Sequence, residues 1–309
     1  MSTLLITHPA CLEHLTPQGH PERPDRLRAI ERAFEAEKFQ SLARVAAPAA
    51  ELDTIALCHP MDYIEEIRDA TPREGMVRLD ADTSMSPGSF EAALRAVGGA
   101  VHAVDEVFAK RAANAFVATR PPGHHAETAR PMGFCLFDNA AIAARYAQKR
   151  HGIARAAIVD FDVHHGNGSQ EIFWADKSVM YCSTHQMPLF PGTGAVGESG
   201  DHNTIVNAPL RPGDDGEKFR DAFKSRVLPR LAEFRPELIV ISAGFDAHYR
   251  DPLANINLDE ADFVWATQQI MDIADRCAEG RVVSLLEGGY DLEALAASAA
   301  AHVLALMRG

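Results

Sequence analysis

Short runs of β-branched and aliphatic residues alternate along this chain with longer Ala-, Leu-, Arg- and Glu-rich stretches of helical period. Nothing else in the sequence constrains the fold as strongly. The strand-like runs are Leu4 to Thr7, Ala115 to Thr119, Ala156 to Phe161, Val179 to Ser183, Leu238 to Ser242 and Arg281 to Leu286. Helical segments fall between or after them, at Phe90 to Arg111, Ala140 to Arg150, Glu217 to Phe234, Glu260 to Glu279 and Leu292 to Met307. Such alternation predicts an α/β fold, an open and mostly parallel β-sheet with helices on both faces. With no internal repeat and no Pro/Gly/Ser-rich linker, residues 1–309 are expected to form a single domain.

The segments just after the strands narrow the function. Ala115 to Thr119 runs into RPPGHH, Ala156 to Phe161 into DVHHGNG, and Val179 to Ser183 into THQMPLFPGTG. Leu238 to Ser242 runs into AGFDAHYRDPL, and Arg281 to Leu286 into EGGYD. Open α/β sheets bind ligands in the crevice beyond the carboxyl ends of their strands. Glycine together with His, Asp or Tyr is delivered to that one edge repeatedly, which scattered structural polar residues would not do.

In IVDFDVHHGNG, Asp160, Asp162 and His164 are spaced i, i+2 and i+4. On an extended chain all three would project to one face. Two carboxylates and an imidazole make poor core but suit a divalent cation of intermediate softness, zinc first. A catalytic zinc takes three protein ligands and leaves a position for water. Asp246, just past LIVISAGF, is the best third candidate, although an Asp there equally suits a helix N-cap. An activated water needs a base and a leaving group needs an acid, roles that suit the adjacent His124 and His125. Asp160 and Asn167 are the nearest candidates to orient those rings. Tyr290, after Gly288 and Gly289, is placed either to donate to a developing oxyanion or simply to turn into the last helix.

Bulk properties exclude other classes. A formal charge of −13 opposes direct nucleic-acid binding but would attract a basic peptide. No window approaches a membrane-spanning length of apolar residues, and the MSTLLITHPA start lacks the features of a signal peptide. Cys11, Cys58, Cys135, Cys182 and Cys277 are odd in number and scattered, which fits a reducing cytoplasm.

Taken together, RPPGHHAE, PMGFC, VDFDVHHGNGSQ, FPGTGAVGE, SAGFDAHYRDPL and LEGGYD resemble the signatures of the zinc-dependent histone deacetylase superfamily, in its class II and bacterial flavour. GHPERPDRLRAI, at residues 19 to 30, resembles that family's N-terminal motif. The resemblance implies a single-domain arginase/deacetylase-like fold and removal of acetyl or acyl groups from the ε-amino groups of lysine. A small-molecule amidohydrolase acting on acetylpolyamines or other N-acyl amines is the alternative.

It implies Asp162, His164 and Asp246 as zinc ligands, a set that would also accept iron(II). It makes His125 the general base and acid, steadied by Asn167, and His124 its electrostatic partner, paired with Asp160. Tyr290 becomes the oxyanion donor. Phe134 and Phe190 match tunnel walls, with Gly133, Leu253 and Gly289 beside them, and Arg23 matches an inner-channel residue. One structural potassium would use Asp160, Asp162, His164, Ser183 and Thr184, and a second Phe173, Asp176, Val179 and Thr204. Leu253 stands where polyamine-selective relatives carry an acid, which favours acyl-lysine. Asp82 fits either a rim acid that grips substrate or a solvated loop.

Overall fold

A computed structural model describes residues 2–308. Its strands are β1 (Thr3–Thr7), β2 (Ala43–Ala46), β3 (Val77–Arg78), β4 (Ser84–Met85), β5 (Asn114–Val117), β6 (Ala156–Asp160), β7 (Val179–Gln186), β8 (Ile205–Leu210), β9 (Leu238–Ala243) and β10 (Val282–Leu286). Eight of them form one sheet in the order β2-β1-β5-β10-β9-β6-β7-β8, while β3 and β4 make a small separate hairpin. Every pairing in the large sheet is parallel. All its carboxyl ends therefore open onto the same edge.

The central strands β5, β6, β9 and β10 are buried along their whole length, as a sheet covered on both faces requires. Side chains alternate between two cores. Ile239 and Ile241 of β9 enter the core that contains Phe161, Phe245 and Phe263, whereas Val240 enters the other with Val117, Ile158 and Val283. Helix Asn139–His151 brings Ala140, Ala141, Ala143, Ala144 and Ala147 into that second core, small side chains that let helix and sheet approach closely.

Two strands of the large sheet, and both strands of the small hairpin, escape the sequence pattern. β2 lies at one edge and is mostly exposed, so its ARVA run carries no burial signature. β8 lies at the other edge and contains Pro209, which a central strand would not tolerate but an edge strand can. The helix expected over Glu217 to Phe234 is continuous but not uniform. Residues Gly216–Ala222 and Leu228–Phe234 are α-helical, and Phe223–Val227 between them forms a π-turn. Pro229 has no N–H to continue the α ladder, so the register loosens just before it.

Helix Leu292–Leu306 is tied to the sheet by a fully buried imidazole, His302. Its Nδ1 lies 2.6 Å from Thr267 Oγ1 and its Nε2 2.8 Å from Ser284 Oγ. The rings of Phe116, Phe161 and Phe245 surround it, and burial pushes its pKa down to about 3. An unfolded histidine titrates near 6.5, so the unfolded state binds the extra proton between those two values. Stability from the neutral ring is complete above pH 6.5 and is lost as pH falls toward 3. Between pH 7.5 and pH 5 the wild type should lose about 2 kcal/mol more unfolding free energy than His302→Gln, by denaturant titration at each pH. Equal losses would show that this ring does not report on acid unfolding.

Candidate active site

The loops after β5, β6, β9 and β10 meet over the middle of the sheet, because these four strands are neighbours. β6 ends at Asp160, and the chain then turns instead of staying extended. Asp160 Oδ1 accepts from Asp162 N at 3.1 Å, and Asp162 Oδ1 accepts from His164 N at 2.9 Å. These successive Asx turns overturn the expectation that all three side chains share one face. Asp160 instead points to the other side, where its Oδ2 accepts from Tyr181 Oη and meets His124 Nδ1, each at 2.9 Å.

Asp162 and His164 converge with Asp246, and ligand atoms of these three buried residues lie within 4.8 Å of one another. His164 Nδ1 is 3.0 Å from Asp246 Oδ2 and 3.3 Å from Asp162 Oδ1. No helix begins at Asp246; its Oδ1 accepts from Val163 N at 2.9 Å. Gly288 packs so tightly here that a Cβ on it would collide with carboxylate oxygens of Asp162 and Asp246. Its N–H donates to Asp162 Oδ2 at 2.8 Å.

Two buried carboxylates need a compensating cation. Burial and the neighbouring charge of Asp162 lift Asp246 to about 6. Burial opposes charge on His164, yet Asp162 and Asp246 outweigh it and raise the imidazole to about 10. Without a metal, that proton is the positive charge of the cluster. A divalent ion would displace it and find one nitrogen and two carboxylates ready, a donor set that suits zinc.

The paired histidines are held separately. Gly123 N and His124 N donate to Glu287 Oε2 at 2.7 and 3.3 Å, and His124 O accepts from Gly168 N at 3.0 Å. The rings then stand 4.0 Å apart, centroid to centroid. His125 Nδ1 is 2.9 Å from Asn167 Oδ1, whose amide nitrogen donates to Glu127 Oε1 at 2.8 Å. With that amide oriented, His125 Nδ1 carries hydrogen and Nε2 keeps a lone pair.

Charge separates the two rings further. Burial disfavours a cation at His124, but Asp160, Asp162 and Glu287 overcome it and hold its pKa well above the ordinary value. Burial drives His125 the other way, reinforced by positive charge on His124 and His164, to well below the ordinary value. Neighbouring imidazoles whose pKa values are pushed apart are suited to acid–base chemistry.

Above these groups opens a cavity of ≈ 260 Å³ lined by Asp82, His125, Gly133, Phe134, His164, Leu189, Phe190, Leu253 and Tyr290. The Phe190 ring stands edge-on to His125 at 5.1 Å, and that of Phe134 to Tyr290 at 5.9 Å. Asp82 is at the wall, its Oδ1 accepting from Gly133 N at 3.2 Å and Thr83 Oγ1 at 3.0 Å. Gly289 sits behind Tyr290, with its carbonyl oxygen turned to Arg26 Nε at 2.6 Å.

Arg23 is not in the inner channel. Its side chain is 46% exposed and pairs with Asp25 at 3.6 Å, because it precedes the helix Asp25–Ala33 on the outer turn. Arg26, three residues later, is a buried guanidinium on the inward stripe with Leu27 and Ile30. It donates to the carbonyls of Gly289 and Glu287 and to Glu22, and lies 5.0 Å from the centre of the Tyr290 ring. The spacing of Glu22, Arg26 and Ile30 is the one sequence signal that points to it. Leu189 and Glu287 fall inside the THQMPLFPGTG and LEGGYD strings, whose spacing gives neither a role, and Tyr181 lies within β7 outside any motif.

In the first of the two potassium sets, Asp160 pairs in register with Ser183, and the neighbouring Thr184 hydroxyl is buried with no partner among the described residues. In the second, Asp176 O accepts from Thr204 Oγ1 at 3.0 Å, Asp176 N donates to Phe173 O at 3.1 Å, and the Asp176 carboxylate pairs with Arg145 at 2.6 Å. Val179 opens the strand β7 beside them.

Residues 20–306 match the family model described as "Histone deacetylase domain". A "Probable deacetylase" of Methanothermobacter thermautotrophicus is 41% identical over 312 residues, covering 99% of this chain and 90% of that protein. A "Histone deacetylase-like amidohydrolase" of Pseudomonas aeruginosa is 39% identical over 277 residues, covering 88% and 73%. The crystal structure of the HDA15 HD domain superposes with a TM-score of 0.94 at 35% identity, covering 99% of this chain and 88% of that one. Among the described residues no helix is long and apolar enough to cross a membrane.

Proposed function

This chain belongs to the histone deacetylase family of amide hydrolases and has their arginase/deacetylase fold, and from that premise we propose that it removes acetyl or a related acyl group from lysine ε-amino groups in peptides or proteins. One observation carries the reading: two histidine rings 4.0 Å apart, one paired with Asp160 and the other with Asn167, stand next to the Asp162, His164 and Asp246 cluster at the foot of an aromatic-walled cavity.

Asp162, His164 and Asp246 would hold the zinc ion, with iron(II) acceptable to the same donors. When bound, it supplies Lewis acidity that polarises the amide carbonyl and lowers the pKa of water. His125 takes the proton from water through Nε2 while Asn167 fixes its ring, then returns that proton to the departing amine. His124, paired with Asp160, keeps positive charge beside the developing oxyanion. Tyr290 donates its phenolic hydrogen to that oxyanion. Phe134 and Phe190 flank the extended alkyl stem of lysine, Gly133 and Leu253 complete the wall, and Asp82 holds substrate backbone at the rim. Asp160, Asp162, His164, Ser183 and Thr184 form a structural potassium site, and Phe173, Asp176, Val179 and Thr204 a second. Residues 1–309 act as one catalytic domain, in a cytoplasm that keeps the free cysteines reduced.

Leu253 offers no charge to a second ammonium. With either metal supplied, acetyl-lysine peptides should exceed acetylputrescine by more than about tenfold in kcat/KM, a gap of about 1.4 kcal/mol or more. The reverse order would transfer the assignment to small N-acyl amines. Failure to hydrolyse any acyl amine would remove the catalytic reading.

A further inference from the structure

Tyr290 stands at the end of a Gly-Gly dipeptide, the most permissive backbone a chain can use, and Gly289 adopts φ +117°. Its ring contacts, Phe134 and the Arg26 guanidinium, are weakly directional. The backbone must therefore be tied down elsewhere. Gly288 N is held by Asp162 and Gly289 O by Arg26. Tyr290 N itself donates to Asp251 Oδ2 at 2.7 Å, the shortest of these backbone ties to a carboxylate.

Asp251 is buried, and its other oxygen accepts from Leu253 N at 3.0 Å. Leu253 and Tyr290 both line the cavity, and they come from loops that follow different strands, β9 and β10. A single carboxylate thus clamps one wall of the tunnel and the phenol-bearing residue together. The next residue, Asp291, caps the last helix through Ala294 N at 2.9 Å, so Asp251 is the final constraint before the chain becomes helical.

We propose that Asp251 is a positioning residue, which sets the Tyr290 phenol over the substrate carbonyl and couples that position to the Leu253 wall. This rests on the reading of Tyr290 as oxyanion donor. Misplacing a catalytic group by about an ångström costs on the order of 100-fold in rate. Asp251→Ala should therefore lower kcat roughly 10- to 100-fold with KM within about threefold. Asp251→Asn keeps one acceptor oxygen and should fall between that variant and the wild type. In a Tyr290→Phe background the same substitutions should cost less than about threefold more, since the group they position is gone.

A second readout needs no turnover. With 3-fluorotyrosine at the five tyrosines, the Tyr290 fluorine line is assigned by its loss in Tyr290→Phe. That line should shift and broaden in Asp251→Asn and Asp251→Ala, while the lines of Tyr63, Tyr146, Tyr181 and Tyr249 stay in place. If Asp251→Ala does not fold, Asp251→Asn decides. An unmoved Tyr290 line, or an equal kcat loss with and without the Tyr290 hydroxyl, overturns the proposal. A wild type inert to acyl amines would defeat the catalytic reading, and the fluorine line alone would then decide whether Asp251 holds Tyr290.

Discussion

Replacing His125 with alanine should lower kcat on an acetyl-lysine peptide by roughly 10²- to 10⁴-fold, the range for losing a positioned acid–base group. His125 is the neutral member of the pair, with one nitrogen committed to Asn167 and the other free. His124 cannot substitute, since its Nδ1 is bound to Asp160, and the acids around it, Asp160 foremost, favour its charged form. The pH profile adds a second check. A base works deprotonated, and burial, reinforced by positive charge on His124, holds the His125 pKa below 6.5. The acid limb of wild-type kcat/KM should accordingly fall below pH 6.5, with activity lost as pH drops through that lowered value. Metal content, measured by elemental analysis, should match the wild type. Near-normal turnover by a metal-loaded His125→Ala would remove His125 from the proton path.

Legibility of this fold in its sequence depends on where the information lies. β5, β6, β9 and β10 are buried on both faces, so their apolar runs are locally complete and easily read. The loops after them carry their chemistry in contiguous strings such as PPGHH and DFDVHHGN. β2 and β8 leave no such trace, because edge strands need not be apolar and can carry a proline. The family motifs imply the Asp160–His124 pairing, but not the Asx turn at Asp160, which a period-of-two reading cannot express. Arg26, Glu287 and Asp251 act across the chain, reaching backbone atoms 263, 164 and 39 residues away. No local pattern records such contacts, which is why the N-terminal motif points to Arg23 and the structure to Arg26. Arg23 lies before the first turn of the helix and Arg26 on its inward stripe, so the helix boundary separates an exposed arginine from a buried one three positions later.

Tyr290→Phe is expected to lower kcat by about 10²- to 10³-fold, the typical loss when one oxyanion donor is removed. Burial raises the phenol well above its ordinary pKa, and the negative charges of Asp246 and Asp162 add to this while Arg26 opposes it. The hydroxyl therefore keeps its hydrogen at neutral pH and is suited to donate rather than to act as a base. Phenylalanine preserves the ring packing against Phe134 and Arg26, so the variant should fold and bind metal normally. A hydrogen bond formed only as charge develops lowers kcat and kcat/KM by the same factor when it is removed, leaving KM unchanged. Steady-state kinetics on one acetyl-lysine peptide distinguish this from simple binding. If KM rose while kcat held, Tyr290 would be gripping the ground-state carbonyl, and the main electrostatic contribution would have to come from His124 and the ion held by Asp162, His164 and Asp246.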